Sequence, residues 1–434
     1  MSMHTETQFR LSRVAMTSRS SALRLLVVAL VLGLIGPWPG AASAARGGKL
    51  ERRANKIGRE LKRRHLPHGT VFDPVFASPE SNQIVDYQHA GDAAIWTGHY
   101  IAAESFRFAA TGSRKARANV RRALTALKLL VEGTGNDVLA RAAVPVGSRW
   151  EGALLVNLTR SHVFRSTVDG AEYYWAGNTS RDQYSGVFFG LGFAWELIPD
   201  DGGIRALIVE IVDRLLGYLI NNAWTPKMPD GSLSTTFVGR PDQQLAFLQI
   251  GRMVKPERFD RAYREVRAAF GKLVKIPIDL EATDPHGSYF KFNLDHINLV
   301  HLLRLEEGSE YKPTYRAAFD KLRRTVASHD NAHFNMIERV VNGVDRARDN
   351  RTQAMLREWL RRPRRIGYAD LSGSYQACGD GRACDVIPIV KRVPTDFLWQ
   401  RSPFRLAGGE GGDIEGAGID YLLPYWMARY FGIV

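Results

Sequence analysis

Two kinds of helical segment alternate along most of this chain, and that alternation restricts the available folds more than any other feature. Segments of the first kind carry a single apolar stripe. Residues 114–132 place Val120, Ala123, Leu124, Leu127, Leu130 and Val131 on one side, with Arg and Lys opposite. Residues 203–223, 257–273 and 311–327 repeat the pattern, the middle one through Phe259, Tyr263, Val266, Phe270 and Leu273, and residues 345–361 repeat it more weakly. One stripe means one buried face and one wet face. Segments of the second kind are 92–111, 181–198, 242–253, 294–306 and 419–431, which are apolar or small on nearly every side. Helices of that composition are surrounded by neighbours. Residues 330–342 are more polar but hold the same place in the order.

A basic segment at 49–64, with Leu50, Ala54, Ile57 and Leu61 at helical spacing, completes six outer–inner pairs. Buried and half-buried helices in strict alternation suit an inner ring wrapped by an outer ring. The expected fold is therefore all-α, an (α/α)6 toroid of six helical hairpins spanning residues 45–434 as one domain. An open helical solenoid also alternates. It predicts a fixed repeat length, however, and the spacings here vary. Two insertions interrupt the order. Residues 136–180 are rich in β-branched and aromatic residues and predict short strands or a hairpin. Residues 362–418 are rich in Gly and Pro and read as a long functional loop. Residues 65–90, with Pro67, Pro74 and Pro79, read as extended and loop-like.

The first 44 residues read as an export signal. Arg10, Arg13, Arg19 and Arg24 precede an eleven-residue apolar run, Leu25 to Ile35, broken by Pro37 and Pro39. Ala42-Ser43-Ala44 then supplies the small-x-small cleavage pattern. The run is too short for a bilayer, which needs ~20 residues. The expected location is periplasmic or extracellular.

The net charge of +14 is uneven, for residues 46–64 alone contribute +7. This stretch is expected to dock by its apolar stripe and to offer either a solvated basic face or a contact for an anionic surface. Nothing resembles a nucleic-acid module. Cys378 and Cys384 are the two cysteines. In an exported chain, such a close pair in a Gly-rich loop reads as a local disulfide. Zinc would need two further ligands, and none is near in sequence. Asp380 and Asp385 flank the pair, but two carboxylates are thin grounds for calcium. His286, His296 and His301 do not have metal spacing. No metal and no cofactor are expected.

Each inner segment opens near an aspartate: Asp92, Asp182, Asp242, Asp295, Asp330 and Asp420. In a ring the inner helices run parallel, so these carboxylates would converge on one mouth, an arrangement suited to acid–base work. Aspartate is also favoured in a first turn for capping and for the helix dipole. Ser180 and Gln183 form a capping-box pattern that would free Asp182. Asn293 could cap in place of Asp295, whereas Asp92 has no alternative cap and reads as structural by this test. Trp150, Tyr173, Tyr174, Trp175, Tyr184, Tyr289 and Trp399 are expected at the mouth, where aromatic faces suit sugars, though core packing also explains such residues. Trp96 or Trp175 would supply an apolar wall. Arg181, Arg240 and His296 lie beside the aspartates and could hold an anionic sugar.

In this architecture the chain resembles the six-hairpin glycosidase superfamily, over roughly residues 81–434. The segments Trp96-Thr97-Gly98-His99-Tyr100 and Trp175-Ala176-Gly177-Asn178-Thr179-Ser180-Arg181-Asp182 look like those of exported bacterial members of unassigned activity. Unsaturated glucuronyl hydrolases of the superfamily use two aspartates on separate inner helices. The resemblance implies Asp92 and Asp182 as the matching positions. The expected function is a glycoside hydrolase with Asp182 as base or nucleophile, Asp92 as its acid partner, and Asp295 and His296 in support. Trp96, Trp175, Arg181, Tyr184, Asp242, Tyr289 and Asp420 would contact an oligo- or polysaccharide. A carboxylate spacing of ~6.5–9.5 Å would mean inversion and ~5–5.5 Å retention. Two alternatives stand beside it. One is a polysaccharide lyase using Tyr184 or Tyr289 with His296, and Arg181 to neutralise a uronate. The other is a glycan- or surface-binding protein without turnover.

Overall fold

A computed structural model describes residues 48–155 and 162–434. The expected export signal, residues 1–44, lies outside the described residues, as do residues 156–161 of the first insertion. The chain is mostly helical, with two small sheets. All twelve expected segments are helices. The first is α1 (Lys49–Arg64), followed by α2 (Ala93–Thr111) and α3 (Arg114–Glu132). Next come α4 (Arg181–Leu197), α5 (Gly202–Asn221), α6 (Pro241–Val254) and α7 (Pro256–Phe270). A short helix the sequence reading passed over, α8 (Lys275–Glu281), precedes α9 (Tyr289–Leu305). The order ends with α10 (Lys312–Val326), α11 (Ala332–Asn342), α12 (Arg346–Trp359) and α13 (Ile419–Tyr430).

The two helix types pack as their stripes dictate. In α1 only Ala54, Ile57 and Leu61 are buried, whereas α2 buries fourteen consecutive residues, Ala93 to Phe106. The stripe expected through residue 273 stops early. α7 ends at Phe270, and Phe270 and Leu273 are exposed. The helices of the second kind touch in succession: α2 with α4, α4 with α6, α6 with α9, α9 with α11, α11 with α13, and α13 with α2. α4 also meets α9. There Phe193 lies 4.7 Å, between ring centroids, from His301.

The closest of these contacts is between α2 and α4. A Cβ built on Gly98 would lie 1.9 Å from the carbonyl oxygen of Gly186. The two backbones therefore touch, which only glycine allows. Among the described residues no helix is long and apolar enough to cross a membrane.

The insertions are more ordered than their composition suggests. In the first, β3 (Ala142–Pro145), β4 (Val163–Val168) and β5 (Ala171–Ala176) form an antiparallel sheet in the order β3-β5-β4. The segments read as loops also contain strands. β1 (Asp73–Phe76) and β2 (Ile84–Gln88) form a hairpin ahead of α2. β6 (Arg365–Asp370) and β7 (Ala407–Glu415) join it as β2-β1-β7-β6. β7 contains the run Gly408-Gly409-Glu410-Gly411-Gly412, which conceals it in the sequence because glycine disfavours strands. Its glycines are needed for close approach: a Cβ on Gly409, at φ 101°, would lie 2.1 Å from the carbonyl oxygen of Gly367. Cys378 and Cys384 are joined as a disulfide.

Candidate active site

The hairpin β1–β2 leads the chain directly into α2 and sets a group of titratable side chains at the start of that helix. His89 is held at φ 59°, in the left-handed region. Non-glycine residues persist there only when their surroundings fix them, and they cluster at functional sites. Here two carboxylates do the fixing. His89 Nδ1 lies 2.9 Å from Asp73 Oδ2, and Nε2 lies 2.9 Å from Glu410 Oε1. Burial opposes a charge on the imidazole. The hydrogen bond to Asp73 and the charges of Asp73, Asp396 and Glu410 outweigh it and raise the pKa to about 9. His89 is thus an imidazolium that donates from both nitrogens.

Three residues on, Asp92 occupies the N-cap position of α2, yet its side chain makes no capping hydrogen bond. The capping reading of Asp92 is therefore corrected. Gln183, from the first turn of α4, reaches across and does the capping: its Oε1 accepts the Ile95 N–H at 3.0 Å. Its Nε2 donates to Asp92 Oδ1 at 3.1 Å. Ser180 makes no cap bond either and accepts from Arg141 Nη2 at 3.0 Å, so the expected capping box does not form. Arg141 Nη1 stands 3.7 Å from Asp92 Oδ1.

Asp92 faces a cavity of about 520 Å³ roofed by β7 and the loop 394–401. Asp396 and Arg401 line the same cavity. Burial is the largest influence on Asp92, followed by the charges of Asp396 and Asp182. Together they raise its pKa to about 6 against the opposing pull of Arg141 and Arg401. Asp396 is shifted the other way. Burial opposes its ionisation, but Arg401, the Thr395 hydroxyl, His89 and the Phe397 N–H hold it below the usual carboxylate range. Asp396 Oδ1 accepts from the Thr395 hydroxyl at 2.7 Å and from Arg401 Nη2 at 3.2 Å. Two neighbouring carboxyl groups with pKa values pushed apart are a recognised acid–base arrangement. Asp182 is half-buried and does not line the cavity, but it is close enough for its charge to act on Asp92, and it accepts no hydrogen bond from another described residue.

The other expected site residues lie elsewhere. α9 begins at Tyr289, so Asp295 is not in a first turn, and Asn293 lies inside the helix and caps nothing. Asp295 and Asp242 are fully buried around one guanidinium. Arg240 donates to Asp242 at 2.8 Å, to Asp295 at 2.9 Å and to Glu281. Burial and the charge of Glu281 push the Asp295 carboxyl well above the usual carboxylate range, against the pull of Arg240. Arg181 lies near it, and burial and Arg240 lower its pKa.

His296 stacks on Phe334 at 3.8 Å, is wholly buried, and is held neutral by burial and by Arg323. Asp330 points outward to Arg351 at 2.8 Å, while Asn331 caps α11. Asp420 accepts from Trp359 Nε1 at 2.9 Å and from the Leu398 N–H at 3.2 Å, which anchors the loop carrying Asp396.

The aromatic mouth is also corrected. Trp175, Tyr184, Tyr289 and Trp399 are buried at 2% exposure or less and cannot meet a sugar face. Tyr184 accepts from the Leu139 N–H at 3.1 Å, and Tyr289 bonds His329 Nδ1 at 2.5 Å. Trp96 stacks on Phe397 at 4.5 Å. Of the expected set, Trp150 is half-buried against Tyr87, which lines the cavity, and Tyr173 and Tyr174 are half-buried on β5.

Asp92 is thus brought together with Asp182. The remaining partners, His89, Asp73, Asp396, Arg401 and Glu410, come from segments without helical periodicity, where nothing in the sequence marks them. Gln183 alone was legible, as half of a capping pattern. The described residues contain no cluster of metal-ligating side chains. No family profile, no curated protein and no solved structure matches this chain.

Proposed function

We propose that this chain is an exported glycoside hydrolase on an (α/α)6 toroid of the six-hairpin kind, acting on uronate-containing glycan. The contacts among inner helices that return from α13 to α2 support the ring reading. One observation carries the reaction: Gln183 takes over the capping of α2 and leaves the Asp92 carboxyl directed into a cavity beside two other carboxylates. Asp92, raised to about 6, is the general acid that protonates the leaving oxygen. Asp182, with no hydrogen bond to another described residue, is the base or nucleophile. Asp396 is a positioning residue whose charge raises the Asp92 pKa toward 6. Arg401 and Arg405 line the cavity and would neutralise a uronate carboxylate.

A panel of neutral and uronate-containing glycans tests this, with reducing ends and ultraviolet absorbance both followed. New reducing ends without an absorbance rise are expected, lost in Asp92→Asn and in Asp182→Asn. An absorbance rise would replace the hydrolase with a lyase. That lyase would not use Tyr184, Tyr289 or His296, which are all buried. Binding without turnover across the panel would make the cavity a glycan-binding site instead.

A further inference from the structure

Away from the carboxylates, α1, α12 and α13 leave a groove of about 920 Å³ between them. It shares no lining residue with the cavity at Asp92. α1 and α12 both pack on α13, and the groove separates them. Its floor is apolar, built from Leu50, Leu360, Tyr425 and Val434. Its rim is cationic, with seven basic residues against Glu51 and Glu358. Lys49, Arg53, Arg357 and Arg361 enter no ion pair among the described residues, while Lys56 on the same rim pairs with Glu60 and acids neutralise many basic residues elsewhere on the surface. Unneutralised cations around an apolar trough fit a molecule with an anionic head and a hydrocarbon body. A polysaccharide would satisfy the rim and leave the floor wet. A neutral apolar ligand would satisfy the floor and leave four cations uncompensated.

We infer that the groove between α1, α12 and α13 seats the anionic headgroup and first acyl carbons of a membrane phospholipid. The basic helix α1 is then one wall of a lipid site, and its charge serves to hold the protein on an anionic bilayer surface. Each Lys or Arg close to such a surface strengthens binding about fivefold at moderate salt, so removing two costs roughly 25-fold.

The full chain is tested by flotation with vesicles of phosphatidylcholine alone and of phosphatidylcholine carrying phosphatidylglycerol. Partition should be greater onto the anionic vesicles. That excess should fall about 25-fold in Arg357→Ser/Arg361→Ser and stay within about twofold in the distant surface control Arg261→Ser/Arg264→Ser. Soluble dihexanoyl-phosphatidylglycerol should also bind more tightly than glycerol phosphate, because only the former reaches the apolar floor. Three results would each overturn the inference. One is no excess on anionic vesicles. Another is an equal loss in the control variant, which would leave only general surface charge. The third is equal binding of the lipid and of glycerol phosphate. A preceding segment of the chain that fills the groove would also abolish the preference for the lipid, and counts against it in the same way.

Discussion

The side chain of Gln183 bridges two helices at one point: its amide nitrogen holds Asp92 Oδ1 at 3.1 Å while its oxygen caps the Ile95 N–H. A helix start normally engages its own N-cap side chain. Here a neighbouring helix does so, and the native N-cap residue is released for chemistry. In Gln183→Leu the Ile95 N–H loses its partner in a buried setting, at a cost of ~1–3 kcal/mol. Denaturant unfolding should show that loss. Activity should fall further than stability, because Asp92 would turn to cap its own helix. Unchanged activity in a destabilised variant would separate Gln183 from the site.

Asp92 also makes stability depend on pH. Its pKa is about 6 in the fold, above the ~3.9 of an unfolded aspartate. Between those values the unfolded chain releases its proton first, so the contribution of this group is present at low pH and lost as pH rises through about 6. Asp92→Asn should therefore be more stable than the wild type at neutral pH and equal to it below pH ~4. Thermal melts across that range decide it, and a variant less stable at pH 7 would contradict the assignment.

A general acid with this pKa sets the alkaline limb of kcat/KM near pH 6. Asp396 raises that pKa by its charge, so Asp396→Asn should move the limb to lower pH, while any structural damage would lower the rate without moving it. The pH–rate profile of the variant is the readout.

Arg240 lies among three carboxylates and donates to each of them. Arg240→Met should destabilise the fold by ~3–5 kcal/mol, the cost of leaving buried charge unpaired. Further substitution to Asp242→Asn and Asp295→Asn in that background should recover part of the loss. Chemical denaturation of the single and multiple variants measures both. No recovery would place the damage in packing rather than in charge.

Periodicity was enough to locate all twelve main helices, because burial on one side or on all sides leaves its imprint at fixed spacing. It could also bring Asp92 and Asp182 forward as helix-start carboxylates. What it could not decide was which way those side chains turn. The Ser180–Gln183 pattern is a local capping box in sequence, yet Gln183 caps another helix. That choice depends on Gly98 and Gly186 letting α2 and α4 touch. The aromatic residues near the mouth looked fit for sugars, but composition does not distinguish a ring in a wall from a ring in a core. The cavity itself is closed by β7 and the loop bearing Asp396. Their strand pairing and ion pairs join residues over 300 positions apart, such as His89 and Glu410. Contacts at that separation leave no local period in the chain, so only the tertiary structure could assemble them.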